Sequence, residues 1–148
     1  MSEAMSKMRL RLWLRLLRAT RLFEMQVRDH LRTAHGTTLP RFDVMAALFR
    51  ANHGLTMSEL SRMLLVSNGN TTAVVDRLEK DGLVRRVPSE SDRRTVHVAL
   101  TPLGREQFGE QARTHEQLVD KLFASMNAGE VVKMEALIKH MMKQEDNA

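Results

Sequence analysis

Residues 73–100 read AVVDRLEKDGLVRRVPSESDRRTVHVAL, and the fold is decided there. Val74, Val75 and Leu78 fall on one helical face, and Gly82 supplies a stop. Leu83 to Val87 is a short β-rich run. From Thr95 to Leu100, Val96, Val98 and Leu100 alternate with Thr95, His97 and Ala99, the period of a half-buried strand. The polar segment 88–94 joins the two runs into a β-hairpin with a charged tip.

Upstream, Thr56 and Glu59 have the spacing of a capping box, which predicts a short helix with Leu60, Met63 and Leu64 inward. Residues 66–69 break it, and Ser67 can cap the next helix, which runs to about Asp81. On that second helix Thr71 joins the apolar face, while Asn68, Asn70, Thr72, Ala73, Asp76 and Arg77 share the opposite one. A capped helix, a tight turn, a helix faced with small polar groups and a basic hairpin follow within some 45 residues. This is the layout of a winged helix-turn-helix.

The chemistry fits double-stranded DNA. Asn pairs with adenine edges, Arg with guanine, and Thr with bases or phosphate. Free amides at a helix start suit phosphate. The hairpin carries Arg85, Arg86, Arg93 and Arg94, and a guanidinium at its tip can enter a narrow minor groove. Asp92 is expected to pair with Arg94 or Arg93 and fix its direction. The expected DNA contacts are therefore Ser67, Asn68, Asn70, Thr72, Ala73, Arg77, Arg86, Asp92, Arg93 and Arg94.

Outside this middle third the pattern is helical. Residues 7–34 read as one helix, with Leu10, Trp13, Leu14, Leu17 and Met25 on a stripe and Arg11, Arg15 and Arg18 on another face. Pro40 opens a second helix carrying Phe42, Met45, Leu48 and Phe49 on one side. Thr101-Pro102 starts a long helix to about Ser125. Asn127 and Glu130 cap a last one, striped by Val131, Met134, Ile138 and Met141. The fold class is mainly α with a small β-hairpin wing. It comprises an N-terminal dimerisation helix (1–36), a DNA-binding winged region (37–101) and C-terminal dimerisation helices (102–148), in one structural domain. The apolar stripes of the flanking helices exceed what a small winged unit covers, so mutual burial in a homodimer is expected.

Of 148 residues, none is cysteine, which removes disulfides, thiolate zinc sites and thiol redox switches. The net charge is +5 and is unevenly placed: residues 1–34 hold 8 basic and 3 acidic side chains, whereas 102–148 hold 6 and 8. A basic front two thirds suits a polyanion. The arginines interrupt every apolar run near residue 10, so no membrane segment or signal peptide is read and a cytoplasmic location is expected. Six scattered histidines make no metal-ligand spacing, and no GxSxG, P-loop or GxGxxG occurs. No catalytic residue, metal or cofactor is expected, and the chain is not read as an enzyme.

Residues 73–86, then Ser91 to Arg94, then 96–104 ending in Leu100-Thr101-Pro102-Leu103-Gly104, resemble the multiple antibiotic resistance regulator (MarR) family. The resemblance implies a homodimeric transcriptional regulator with interleaved terminal helices, each winged unit reading half of a palindromic operator. The recognition role falls on Ser67 to Arg77 and the wing arginine on Arg94. It also implies a small aromatic acid effector, and the arginine density beside Trp13 extends this to an aryl-coenzyme A. Trp13, Arg15, Arg18, Phe42, Phe49 and His53 are the expected effector residues. The regulator is read as a repressor, with an effector-independent DNA-binding protein or a protein-interaction module as the alternative.

Overall fold

The structure is a computed structural model and describes residues 2–65, 68–89, 91–92 and 94–143. The elements in chain order are α1 (Ser2–His35), α2 (Leu39–Ala51), β1 (Leu55–Thr56), α3 (Met57–Leu64), α4 (Asn68–Lys80), β2 (Val84–Pro88), β3 (Val96–Leu100), α5 (Pro102–Leu122) and α6 (Ala128–Met142). The winged helix-turn-helix expected from the sequence is present. The strands form one antiparallel sheet in the order β1-β3-β2. The strand β1, two residues long, is an addition to the expected hairpin: Leu55 pairs with Val98 and Thr56 with His97. No pattern can be read from two residues, so this strand was invisible to periodicity.

Residues 1–115 and 116–148 make two compact units. The core of the first is drawn from short stretches of every element. Helix α2 contributes Phe42, Val44, Met45, Ala47 and Leu48, α4 contributes Thr71, Val75 and Leu78, and the sheet contributes Leu55, Val84, Val98 and Leu100. Only the C-terminal part of α1 joins it, through Val27 and Leu31. Each such large apolar side chain stabilises the fold by about 1.5–3 kcal/mol. Leu60 is buried as expected, but Met63 is half exposed and Leu64 only partly covered. The reason is that Ser61 is buried beside Leu60, which turns the inward face of α3 toward Ser61 and leaves Met63, two residues on, nearly opposite it.

Two junctions lock the winged unit. Gly82, at φ 75°, ends α4: its amide donates to the Glu79 carbonyl and the Leu83 amide reaches back to Leu78. This is a Schellman closure, and Leu78 and Leu83 are both buried against it. Thr101 then caps α5, its hydroxyl accepting from the Gly104 amide at 3.0 Å and donating to the Gly82 carbonyl at 2.6 Å. Because Thr101 is pinned there, α5 passes directly over Leu83. A Cβ on Gly104 would lie 1.9 Å from the Leu83 carbonyl oxygen.

Three of the six histidines, two from α1 and one some eighty residues on, meet where α1 packs on α5. His30 Nε2 and His35 Nε2 lie 3.0 and 2.6 Å from the Thr114 hydroxyl oxygen, and that hydroxyl donates to the Gln111 carbonyl. Both rings therefore share one hydroxyl oxygen as hydrogen-bond partner. The His115 ring packs against Phe42 at 4.7 Å in a tilted arrangement, and its Nδ1 is buried without a partner. Burial, and secondarily the charge of His30, holds its pKa below the usual histidine range. Among the described residues no group of histidines and carboxylates is arranged to hold a metal.

Two outcomes are expected. Gly104→Ala places a methyl group against backbone that cannot rotate away, and urea unfolding should register a loss of about 1–3 kcal/mol. His115 resists protonation in the native state, so the unfolded chain binds more protons just below the ordinary histidine value of about 6.5. Stability should therefore be full above that value and fall as pH is lowered through it. In His115→Gln the slope of unfolding midpoint against pH should flatten.

Candidate nucleic-acid interface

The helix-turn-helix starts from the Thr56 cap. The Thr56 hydroxyl accepts from the Glu59 amide at 3.1 Å, and the Glu59 carboxylate accepts from the Thr56 amide at 3.3 Å. This satisfies two amides at the start of α3 and fixes its direction. Between α3 and α4 the Ser61 hydroxyl donates to the Thr71 hydroxyl at 2.9 Å, and both are buried. A directional bond at that crossing sets the rotation of α4 more sharply than apolar packing does.

With Thr71, Val75 and Leu78 turned inward, α4 exposes Gly69, Asn70, Thr72, Ala73, Asp76 and Arg77. Asn70, Thr72, Ala73 and Arg77, all expected contacts, thus share one exposed face. Asn68 is the first residue of α4. Ser67 and Arg93 lie outside the described residues.

The wing is held by register and by its turn. Strands β2 and β3 pair from Val84↔Leu100 to Pro88↔Val96, and the Ser89 amide donates to Thr95 beyond the last pair. At the tip, one Asp92 carboxylate oxygen accepts from the Arg94 amide at 3.0 Å and the other from the Thr95 hydroxyl at 3.3 Å. Asp92 therefore shapes the backbone of the turn. Of the two partners expected for Asp92, Arg94 meets it through the backbone amide, which a short carboxylate two residues away reaches readily, and Arg93 lies outside the described residues. Arg94 itself is exposed.

Arg86 is placed differently from the contact read in the sequence. Its guanidinium forks to Asp76 at 2.5 Å and to Glu79 at 2.8 Å, and its amide donates to Glu79. Burial acts to lower its pKa, but the bonds to Asp76 and Glu79 outweigh this and raise it further. Arg86 is thus a strut between the wing and α4, and it offsets part of the charge of two carboxylates beside the polar face. Strand alternation contained this signal: Arg86 shares a side of β2 with buried Val84, whereas Arg85 points the other way. Arg41 makes a second tie, to Asp81 at 2.6 Å.

The expected effector residues are not gathered in one chain. Trp13, Arg15 and Arg18 are exposed on α1. Phe42 is core, 5.4 Å from the Phe108 ring, and Phe49 packs 5.0 Å from the same ring beneath the Arg105 guanidinium. His53 borders a cavity beside Arg85 and Arg105. Aromatic residues on α2 serve the α2–α5 contact, a use that helix periodicity leaves open.

A model of the MarR family matches residues 35–95, which take in α2 to the wing. The uncharacterized HTH-type transcriptional regulator YsmB of Bacillus subtilis is 30% identical over 113 residues, 74% of this chain and 77% of that protein. The chain belongs to the MarR family. Among its other relatives, the transcriptional activatory protein BadR of Rhodopseudomonas palustris is 40% identical over 49% of this chain and 42% of its own length. The transcriptional repressor MprA of Escherichia coli is 32% identical over 64% and 54%. The chain spans about half the length of these two curated relatives. Among solved structures, a mutant of E. coli MarR complexed with operator DNA is 28% identical, with a TM-score of 0.75, over 86% of this chain and 91% of that one. The family's named members are transcriptional regulators rather than enzymes. Among the described residues no helix is long and apolar enough to cross a membrane.

The fork at Arg86 sets a structural expectation. Arg86→Ala should cost about 1–2 kcal/mol in urea unfolding, since two carboxylates lose one shared partner. Arg86→Lys should recover little of it, because an ammonium cannot fork to both.

Proposed function

We propose that this MarR-family chain is a cytoplasmic, homodimeric transcriptional regulator that represses by binding a palindromic operator and is released by a small ligand. The observation that carries the reading is the exposed polar face of α4 beside an arginine-bearing wing. Asn70, Thr72 and Arg77 suit base edges and phosphates in the major groove. Arg94, held at the tip by the Asp92 turn, suits the adjacent minor groove. The basic balance of the front two thirds adds sequence-independent attraction. Exposed apolar residues on α1 (Leu10, Trp13, Leu14) and α6 (Val131, Met134, Ile138) support burial between two copies. Two-fold symmetry then calls for half-sites about 10 base pairs apart. Among the relatives MprA is a repressor by name and BadR an activatory protein by name, so both support regulation at DNA.

Arg94 provides the test, in fluorescence anisotropy with operator DNA over a range of salt. Arg94→Ala should weaken binding by about 1–3 kcal/mol. Asn70→Ala should instead alter base preference while leaving the salt slope in place. Unchanged operator affinity in Arg94→Ala would contradict the wing's role, and a monomer in sedimentation would contradict the palindrome.

A further inference from the structure

A cavity of about 510 Å3 opens between α1, α2, α3 and α4, a size suited to a small molecule. Leu39, Pro40, Val44, Leu64 and Val74 give it apolar walls. Its charged groups are Glu24, Arg28 and Asp43. Glu24 and Arg28 are paired along α1 at 3.7 Å, which leaves Asp43 as the uncompensated charge. A neighbouring cavity of about 290 Å3 shares Glu24, Leu39 and Asp43 and extends to His115, so Asp43 borders both.

Asp43 is half-buried, and no described residue gives it a hydrogen bond. Burial first, and then the charge of Glu24, push its carboxyl above the usual carboxylate range, against the pull of Arg50 and Arg28. A desolvated carboxylate without a donor is costly. A ligand that brings one positive charge into the cavity supplies the missing partner.

We propose that this cavity binds a small, singly charged cationic ligand with an apolar body, its ammonium group seated against Asp43. The paired Glu24 and Arg28 limit the site to one net charge, and the walls select an apolar remainder. Asn70 and Ala73 of α4 line the same cavity, so an occupant touches the helix assigned above to DNA. That consequence for regulation rests on the DNA-binding reading, whereas the binding itself does not. The ligand class differs from the anionic aromatic acids expected from the sequence.

The test uses the full chain without DNA and three probes of one skeleton: 2-phenylethylamine, 2-phenylethanol and phenylacetate. Calorimetric titration should give the amine the highest affinity, about tenfold over the alcohol, and phenylacetate the lowest. In Asp43→Asn the amine should fall to the level of the alcohol. The same variant, without ligand at neutral pH, should melt at or above the parent temperature, because it removes a carboxyl whose ionisation the fold opposes. Phenylacetate binding tightest, amine and alcohol binding equally, or no probe binding would each overturn the proposal on the parent protein alone, whether or not the variant folds. Amine binding unchanged in a folded Asp43→Asn would overturn it too. Operator affinity measured without any probe tests the DNA-binding reading separately.

Discussion

Helix α4 has two faces to satisfy at once, and the winged unit is arranged around that demand. Thr71, Val75 and Leu78 must be inside, and Asn70, Thr72, Ala73 and Arg77 must be outside. Successive helical residues are rotated by about 100°, so a turn of the helix by one position exchanges core for surface. Apolar packing tolerates smaller errors than that, because it lacks direction. The directional constraints come from the Ser61–Thr71 hydroxyl bond on the inner side and the Arg86 fork on the outer side. Together they fix both the rotation of α4 and its distance from the wing.

The same fork reduces an electrostatic conflict. Asp76 and Glu79 stand near a surface that is otherwise fitted to polyanions, and as free carboxylates they would repel phosphate. Pairing with Arg86 offsets one of their two charges and draws both carboxylates toward the wing strand, while Arg77 and Arg94 stay exposed. Asp92 is reconciled in another way: its oxygens accept from the Arg94 amide and the Thr95 hydroxyl. Acidic residues in a basic surface are here structural parts that hold the cations in place.

Much of this could be read in the chain beforehand, because the informative signals are local. The capping boxes at Thr56 and Asn127, the stop at Gly82, the Thr101-Pro102 start and the alternation of Val96, Val98 and Leu100 each depend on a few neighbouring residues, and each stands as expected. What local pattern does not specify is which partner a side chain meets. Arg86 and Arg94 have the same chemistry, yet only strand parity distinguishes strut from free tip. Phe42 and Phe49 read equally well as core or pocket wall until Phe108, some sixty residues on, closes over them. The meeting of His30, His35 and His115, and the isolation of Asp43, arise only when α1 and α5 pack on α2. No spacing rule anticipates them.

The distribution of burial bears on assembly. Helix α6 has 15 residues, a complete capping box and one surface ion pair, yet none of its residues is buried. A cap contributes about 1 kcal/mol and an exposed i,i+4 pair a few tenths, whereas an isolated helix of this length is marginal in water. The first two thirds of α1 is similar: Met8, Leu10, Leu12, Trp13 and Leu14 are all more than half exposed, and its buried positions begin at Val27. Such helices persist when their apolar stripes are covered. A second copy, which offers the same stripes by symmetry, meets that need with no added component, and the homodimer proposed above is thereby tied to the stability of the terminal helices as well as to the spacing of DNA half-sites.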